Sequence, residues 1–124
     1  MLSYEVYKIV HILGLVGVFA ALGGLTLHAL NGGSREDNPS RRLLVATHGV
    51  SLVLMLVAGM GMLARKGIMT DLPSWVWIKF LLWGVLGGLV SVVLRKPALA
   101  KPIWFLLPVL GAAGAWIALY KPMT

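Results

Sequence analysis

An all-α membrane protein, folded as an antiparallel bundle of four transmembrane helices, is the architecture this sequence predicts. Two observations carry the prediction. Of the 124 residues, 59% are hydrophobic and only 12% charged, too little charge to cover a soluble domain of this size. Apolar windows of about 20 residues, the length that crosses ~30 Å of hydrocarbon, recur four times. They run at about 6–30, 43–63, 75–94 and 102–120 and use most of the chain. One transmembrane domain over 1–124 follows, with no soluble domain beside it.

The first span is too long for the apolar region of a cleaved signal peptide and lacks a basic segment before it, so it is expected to be retained. It should stop at Asn31, Gly32 and Gly33, residues that end helices. Pro39 and Ser40 then make a turn and an N-cap for the second helix, which runs out at Arg65 and Lys66 at headgroup level. Asp71 or Ser74 caps the third helix, with Pro73 in its first turn. Pro97 and Pro102 bracket the connection to the fourth, and Pro108 is expected to kink it. Short connections make successive helices antiparallel neighbours.

The net charge of +7 does not point to nucleic acid. The basic residues form no continuous tract and sit at helix ends, where they meet lipid headgroups. Arg35, Arg41, Arg42, Arg95, Lys96 and Lys101 lie in the first and third connections, against Arg65, Lys66 and Lys121 on the other side. That excess of six to three places both termini on the non-cytoplasmic face. Lys8 and Lys79, just inside the helices, narrow it to six against five. Absence of cysteine excludes disulfides, iron–sulfur ligation, thiolate zinc and covalent c-type haem.

Lipid tails are as apolar as leucine, so helices associate through close backbone approach at small residues. Gly84 and Gly88 form a GxxxG pair on the third helix; Gly14 and Gly17 serve the first helix and Gly111 the fourth. Packing is the expected role of all five, and the alternative is that such glycines leave room for a flat ligand. Trp75 and Trp77, with Tyr4, Tyr7 and Tyr120, read as an aromatic belt on one membrane face, whereas Trp83 and Trp116 lie deeper and read as packing residues.

The polar residues inside the spans carry the functional question. Lys8 and His11 are three apart and share a helix face. Lys79 enters at a similar depth, roughly 6 Å below the same interface. A lysine there can snorkel, and Glu5 is placed to pair with Lys8. His11 is deeper: it either hydrogen-bonds a neighbouring helix or serves as a ligand or proton carrier. His11 and His28 are about 25 Å apart along one helix and cannot share an iron. His48 on the second helix is a metal-ligand candidate with His11 but enters from the opposite face, an awkward depth for one iron. His11 with Met55 or Met60 suits a b-type haem better, since a His–Met pair is a recognised haem ligation. No residue pattern assigns a catalytic group.

The Lys8-x-x-His11 pair followed by Gly14 and Gly17 is one of three loose motifs; the others are Arg42-Leu43-Leu44 with Gly59 and Gly61, and Trp75-x-Trp77-x-Lys79. Together they resemble a group of small four-helix bacterial inner-membrane proteins. It includes the SirB type, the copper-resistance D type and the four-helix oxygen-independent protoporphyrinogen oxidase. The resemblance implies a bundle with Lys8, His11, Trp77 and Lys79 near one membrane face, and in the oxidase branch a b-type haem and porphyrinogen oxidation. This chain lacks the Trp-x-x-Gly continuation that the oxidase branch carries after the histidine.

Two expectations of different kinds result. One is a bilayer protein binding a haem or quinone-type redox ligand through His11, with Lys8 and Lys79 steering its acidic or polar groups. The other is a non-catalytic subunit whose glycine-rich faces dock onto other membrane subunits or a second copy.

Overall fold

The computed structural model describes residues 2–121. Four helices follow one another: α1 (Tyr4–Leu30), α2 (Arg41–Lys66), α3 (Ser74–Arg95) and α4 (Ala100–Tyr120), the last preceded by a short 3₁₀ turn, Pro97–Leu99. All four are long and apolar enough to cross a membrane. The protein is a small polytopic membrane protein.

The caps follow from local chemistry. Ser3 Oγ accepts the Val6 N–H at 3.2 Å, satisfying one of the free donors at the start of α1. At the far end Gly32 turns left-handed at φ 82°, and the Gly33 N–H closes on the His28 carbonyl at 3.0 Å. Gly67, at φ 73°, ends α2 in the same way. Ser40 occupies the N-cap position of α2, but its hydroxyl makes no capping bond; its N–H instead donates to Asn38 Oδ1 at 2.9 Å. Pro73, rather than Asp71 or Ser74, holds the N-cap position of α3. The α4 helix is continuous through Pro108.

The helices form a ring in chain order, α1 against α2, α2 against α3, α3 against α4 and α4 back against α1. The α1–α3 diagonal is in contact, while the backbones of α2 and α4 stay apart and the two helices share side-chain contacts at one end of the bundle, where Leu63 and Ile117 belong to one apolar cluster. The closest pair is α1 and α2. A Cβ on Gly14 would lie 2.7 Å from the Ser51 carbonyl oxygen, and one on Gly17 would collide with the Ser51 hydroxyl. A Cβ on Gly24 would reach Leu44 at 2.9 Å. Gly84 and Gly88 are placed differently: both are exposed, and a Cβ on either meets nothing within 4 Å. They do not pack against another helix of this chain. Gly87 beside them does, 3.1 Å from Leu52 by the same construction.

Two apolar clusters hold the ring. The larger takes Val18, Leu22 and Leu25 from α1, Met55 from α2, Leu86, Leu89 and Val93 from α3, and Ile103 and Leu107 from α4. The smaller joins Leu63, Trp75, Val76 and Ile117, with no residue from α1. Trp75 is therefore buried, at 8% exposure, rather than part of an outward belt with Trp77. Trp116 is 53% exposed and faces outward, its ring 5.8 Å from that of Tyr120.

The connection between α1 and α2 is tied to the helix end. The His28 Nε2–H is shared between the Ser34 carbonyl at 2.8 Å and Asp37 Oδ1 at 2.7 Å. Asp37 also accepts the Ser34 N–H at 2.8 Å. Glu5 and Lys8 form no ion pair among the described residues.

Three expectations can be checked. Gly17→Leu should force α1 off α2 and cost about 1–3 kcal/mol or more, an overpacking penalty. Gly84→Leu should leave the chain's own stability near that of the unmodified protein, with thermal unfolding in detergent comparing the two. The Asp37 carboxyl is held below the usual carboxylate range, first by the His28 hydrogen bond and then by Ser34. Its contribution is thus present above the ordinary carboxylate pKa and lost as pH falls through the lowered folded value. Amide exchange at Ser34 should lose its protection over that acidic window, and Asp37→Ala should lack the protection at every pH.

Candidate functional site

Because α1 takes no part in the smaller cluster, a cavity of about 600 Å³ is left between the helices at the end of the bundle that carries both ends of the described chain. That volume falls within the size of ordinary small-molecule sites, roughly 300–1,000 Å³. Its apolar walls include Ile12, Leu15 and Phe19 of α1, Leu86 of α3, and Leu110 and Gly111 of α4. From Tyr4 to Phe19 it follows α1 for roughly 22 Å at 1.5 Å per residue. On α4 the wall is low. A Cβ on Gly114 meets nothing within 4 Å, and one on Gly111 meets only Phe19, at 3.7 Å.

The polar groups of the cavity are unevenly distributed. Lys8, Lys66, Lys79 and Lys121 line it together with Tyr4 and His11, and no aspartate or glutamate does. Lys66 lies with its ammonium 5.4 Å from the Tyr4 ring centroid and Lys121 5.6 Å from that of Trp75, both within cation–π range. Lys121 closes α4 in a left-handed conformation at φ 46°, which brings it beside Lys66. That neighbour holds the Lys121 ammonium below the ordinary lysine range, by hydrogen bonding and by like-charge repulsion.

His11 is fixed by α2. Its Nδ1–H donates to the Met55 carbonyl oxygen at 2.8 Å, and the ring lies against Gly59, where a Cβ would come within 3.3 Å. With Nδ1 engaged as donor, the lone pair is on Nε2, which makes no hydrogen bond among the described residues. A histidine whose first ring nitrogen is tied to a backbone carbonyl is oriented in the manner of metal- and haem-binding histidines. Met55 and Met60 both line the cavity; Met55 is buried, and Met60 is 40% exposed.

His48 does not join them. It is 3% exposed, lies outside the cavity lining, and donates from Nε2 to the Leu86 carbonyl at 3.0 Å. It is a link between α2 and α3, and the pairing of His48 with His11 as metal ligands is not formed. Trp83 makes a reciprocal link, its indole N–H donating to the Leu52 carbonyl at 2.9 Å. No group of three or more His, Asp or Glu able to hold a metal ion occurs among the described residues.

Lys8, His11, Lys79, Met55 and Met60, separate candidates in the sequence, therefore meet at one cavity. Lys66 and Lys121 were readable only as helix-end charges. The one available signal was that both fall on the same membrane face as Lys8 and Lys79. Compared with protein-family models, curated proteins and solved structures, the chain matches none.

His48→Leu should cost about 1 kcal/mol, the usual scale of an interhelical hydrogen bond in a membrane protein. It should leave any ligand bound in the cavity undisturbed, and unfolding in detergent with and without that ligand checks both halves.

Proposed function

We propose that the protein binds a hydrophobic redox ligand in the cavity beside His11, with a b-type haem as the ligand the donor set suits best. The observation that carries this reading is the tautomer of His11, whose Nδ1–H is committed to the Met55 carbonyl. A bound haem would supply one-electron exchange. Of the residues present, His11 would be its first iron ligand, Met55 or Met60 the second, and Lys8 and Lys79 would meet its acidic side chains. The residues of the chain do the remainder. Gly59 lets the imidazole come close to α2, the apolar walls exclude water, and the lysines offset negative charge at the mouth. A quinone fits the same cavity, with Nε2 of His11 as a partner for its polar head.

Protein from a haem-sufficient host, purified in mild detergent, should give a Soret band that shifts on dithionite reduction. His11→Leu should abolish it and His48→Leu should not. An unchanged spectrum in the His11 variant would end the haem reading.

One observation favours a second reading, a non-catalytic subunit of a membrane assembly. Gly84, Gly88 and Ser91 lie exposed on α3, a small-residue face of the kind that allows close helix approach in lipid. On this reading Gly88→Leu disperses the assembly while His11→Leu leaves it intact.

A further inference from the structure

The four lysines of the cavity are a concentration of like charge that the bundle's own stability does not require. Among the described residues no aspartate or glutamate lines the cavity to offset them, and Lys66 and Lys121 stand beside one another at its mouth as like charges. Aromatic rings do not cancel such charge; Tyr4 and Trp75 seat the two ammoniums at 5.4 and 5.6 Å without neutralising them. Directly behind them the walls become apolar as far as Phe19 and Leu110. Cationic mouth and apolar interior together complement one kind of molecule, an amphiphile with an anionic head.

We infer that the mouth formed by Lys66, Lys121, Lys8 and Lys79 is a binding site for a lipid phosphate monoester, with the tail lying in the cavity along the small-residue face of α4. The choice of phosphate follows from the donors. A lysine ammonium is a compact point charge with three rotatable N–H groups. Several of them can surround a tetrahedral dianion, whereas a planar carboxylate is better matched by the fork of an arginine. The tail position follows from Gly111, Gly114, Ala115 and Ala118, which line the cavity; a Cβ on Gly114 would find open space. The site shares Lys8, Lys79 and the apolar walls with the cavity of the haem reading, and protein whose visible spectrum shows no Soret band tests it apart from that reading.

Dodecyl phosphate tests it, added to the full chain in a neutral maltoside detergent and counted by native mass spectrometry. One molecule per chain should bind saturably, and the doubly substituted Lys66→Gln, Lys121→Gln protein should bind it at least about tenfold more weakly, the loss of one or two charge-assisted contacts. Lys101→Gln, on the opposite membrane face, should bind as the unmodified protein does. Dodecanoate should bind more weakly, and inorganic phosphate should not bind at the same concentration. In the unmodified protein, bound dodecyl phosphate should protect Lys66 and Lys121, but not Lys101, from acetylation, which keeps the test independent of how the variants fold. The inference is overturned if the double variant keeps full affinity, if the acetylation pattern does not change, if dodecanoate binds equally well, or if inorganic phosphate alone binds as tightly.

Discussion

How closely α1 can lie on α2 decides most of what this bundle does. In lipid there is no hydrophobic gain in burying one leucine against another, so close contact must come from backbones that can approach. Gly14 and Gly17 permit that approach over Ser51. One turn before Gly14, the same proximity brings the His11 ring to the Met55 carbonyl. Side chains at 14 and 17 would move α1 outward, and His11 would lose its acceptor before any core leucine was disturbed. A packing constraint thus sets the tautomer of His11.

From α2 the arrangement is handed on to α3 by two bonds in opposite directions, His48 to the Leu86 carbonyl and Trp83 to the Leu52 carbonyl. Both acceptors are main-chain oxygens, so the register of the two helices is held whatever side chains surround them. Phe19, Met55 and Leu86, which belong to the larger apolar cluster or pack on it, also line the cavity. The floor of the cavity is accordingly continuous with the larger apolar cluster, whereas its mouth carries the charge.

The spans were legible because apolar length is a property of composition. Helix ends were less so: α2 begins at Arg41 and ends at Lys66, beyond its apolar window, because charged residues continue a helix into the headgroup layer. Direction was not legible at all. Gly84 and Gly88 carry the same small-residue signal as Gly14 and Gly17, yet only the latter pair meets a neighbouring helix of the chain. Spacing names a face but not what the face meets. Trp75 and Trp77 are two apart, about 200° around a helix, so one must turn inward when the other turns out. The acceptor of His11 was hidden for another reason: it is a backbone oxygen, which every residue carries. The nearness of Lys66 to Lys121 is tertiary, arising only when the ends of α2 and α4 meet.

Among the described residues, the hydrogen bonds of His11, His48 and Trp83 cross between helices and join α1 to α2 and α2 to α3. α4 is held by apolar contact and by Lys121 over Trp75. Apolar contact is the one attraction that surrounding acyl chains can replace almost like for like. The compliance of the molecule is therefore concentrated in its last helix, and a load applied at that end would peel α4 away while the first three stayed together. That same helix forms one wall of the cavity, so the mechanically soft side of the bundle is also the side whose movement would change the cavity's width.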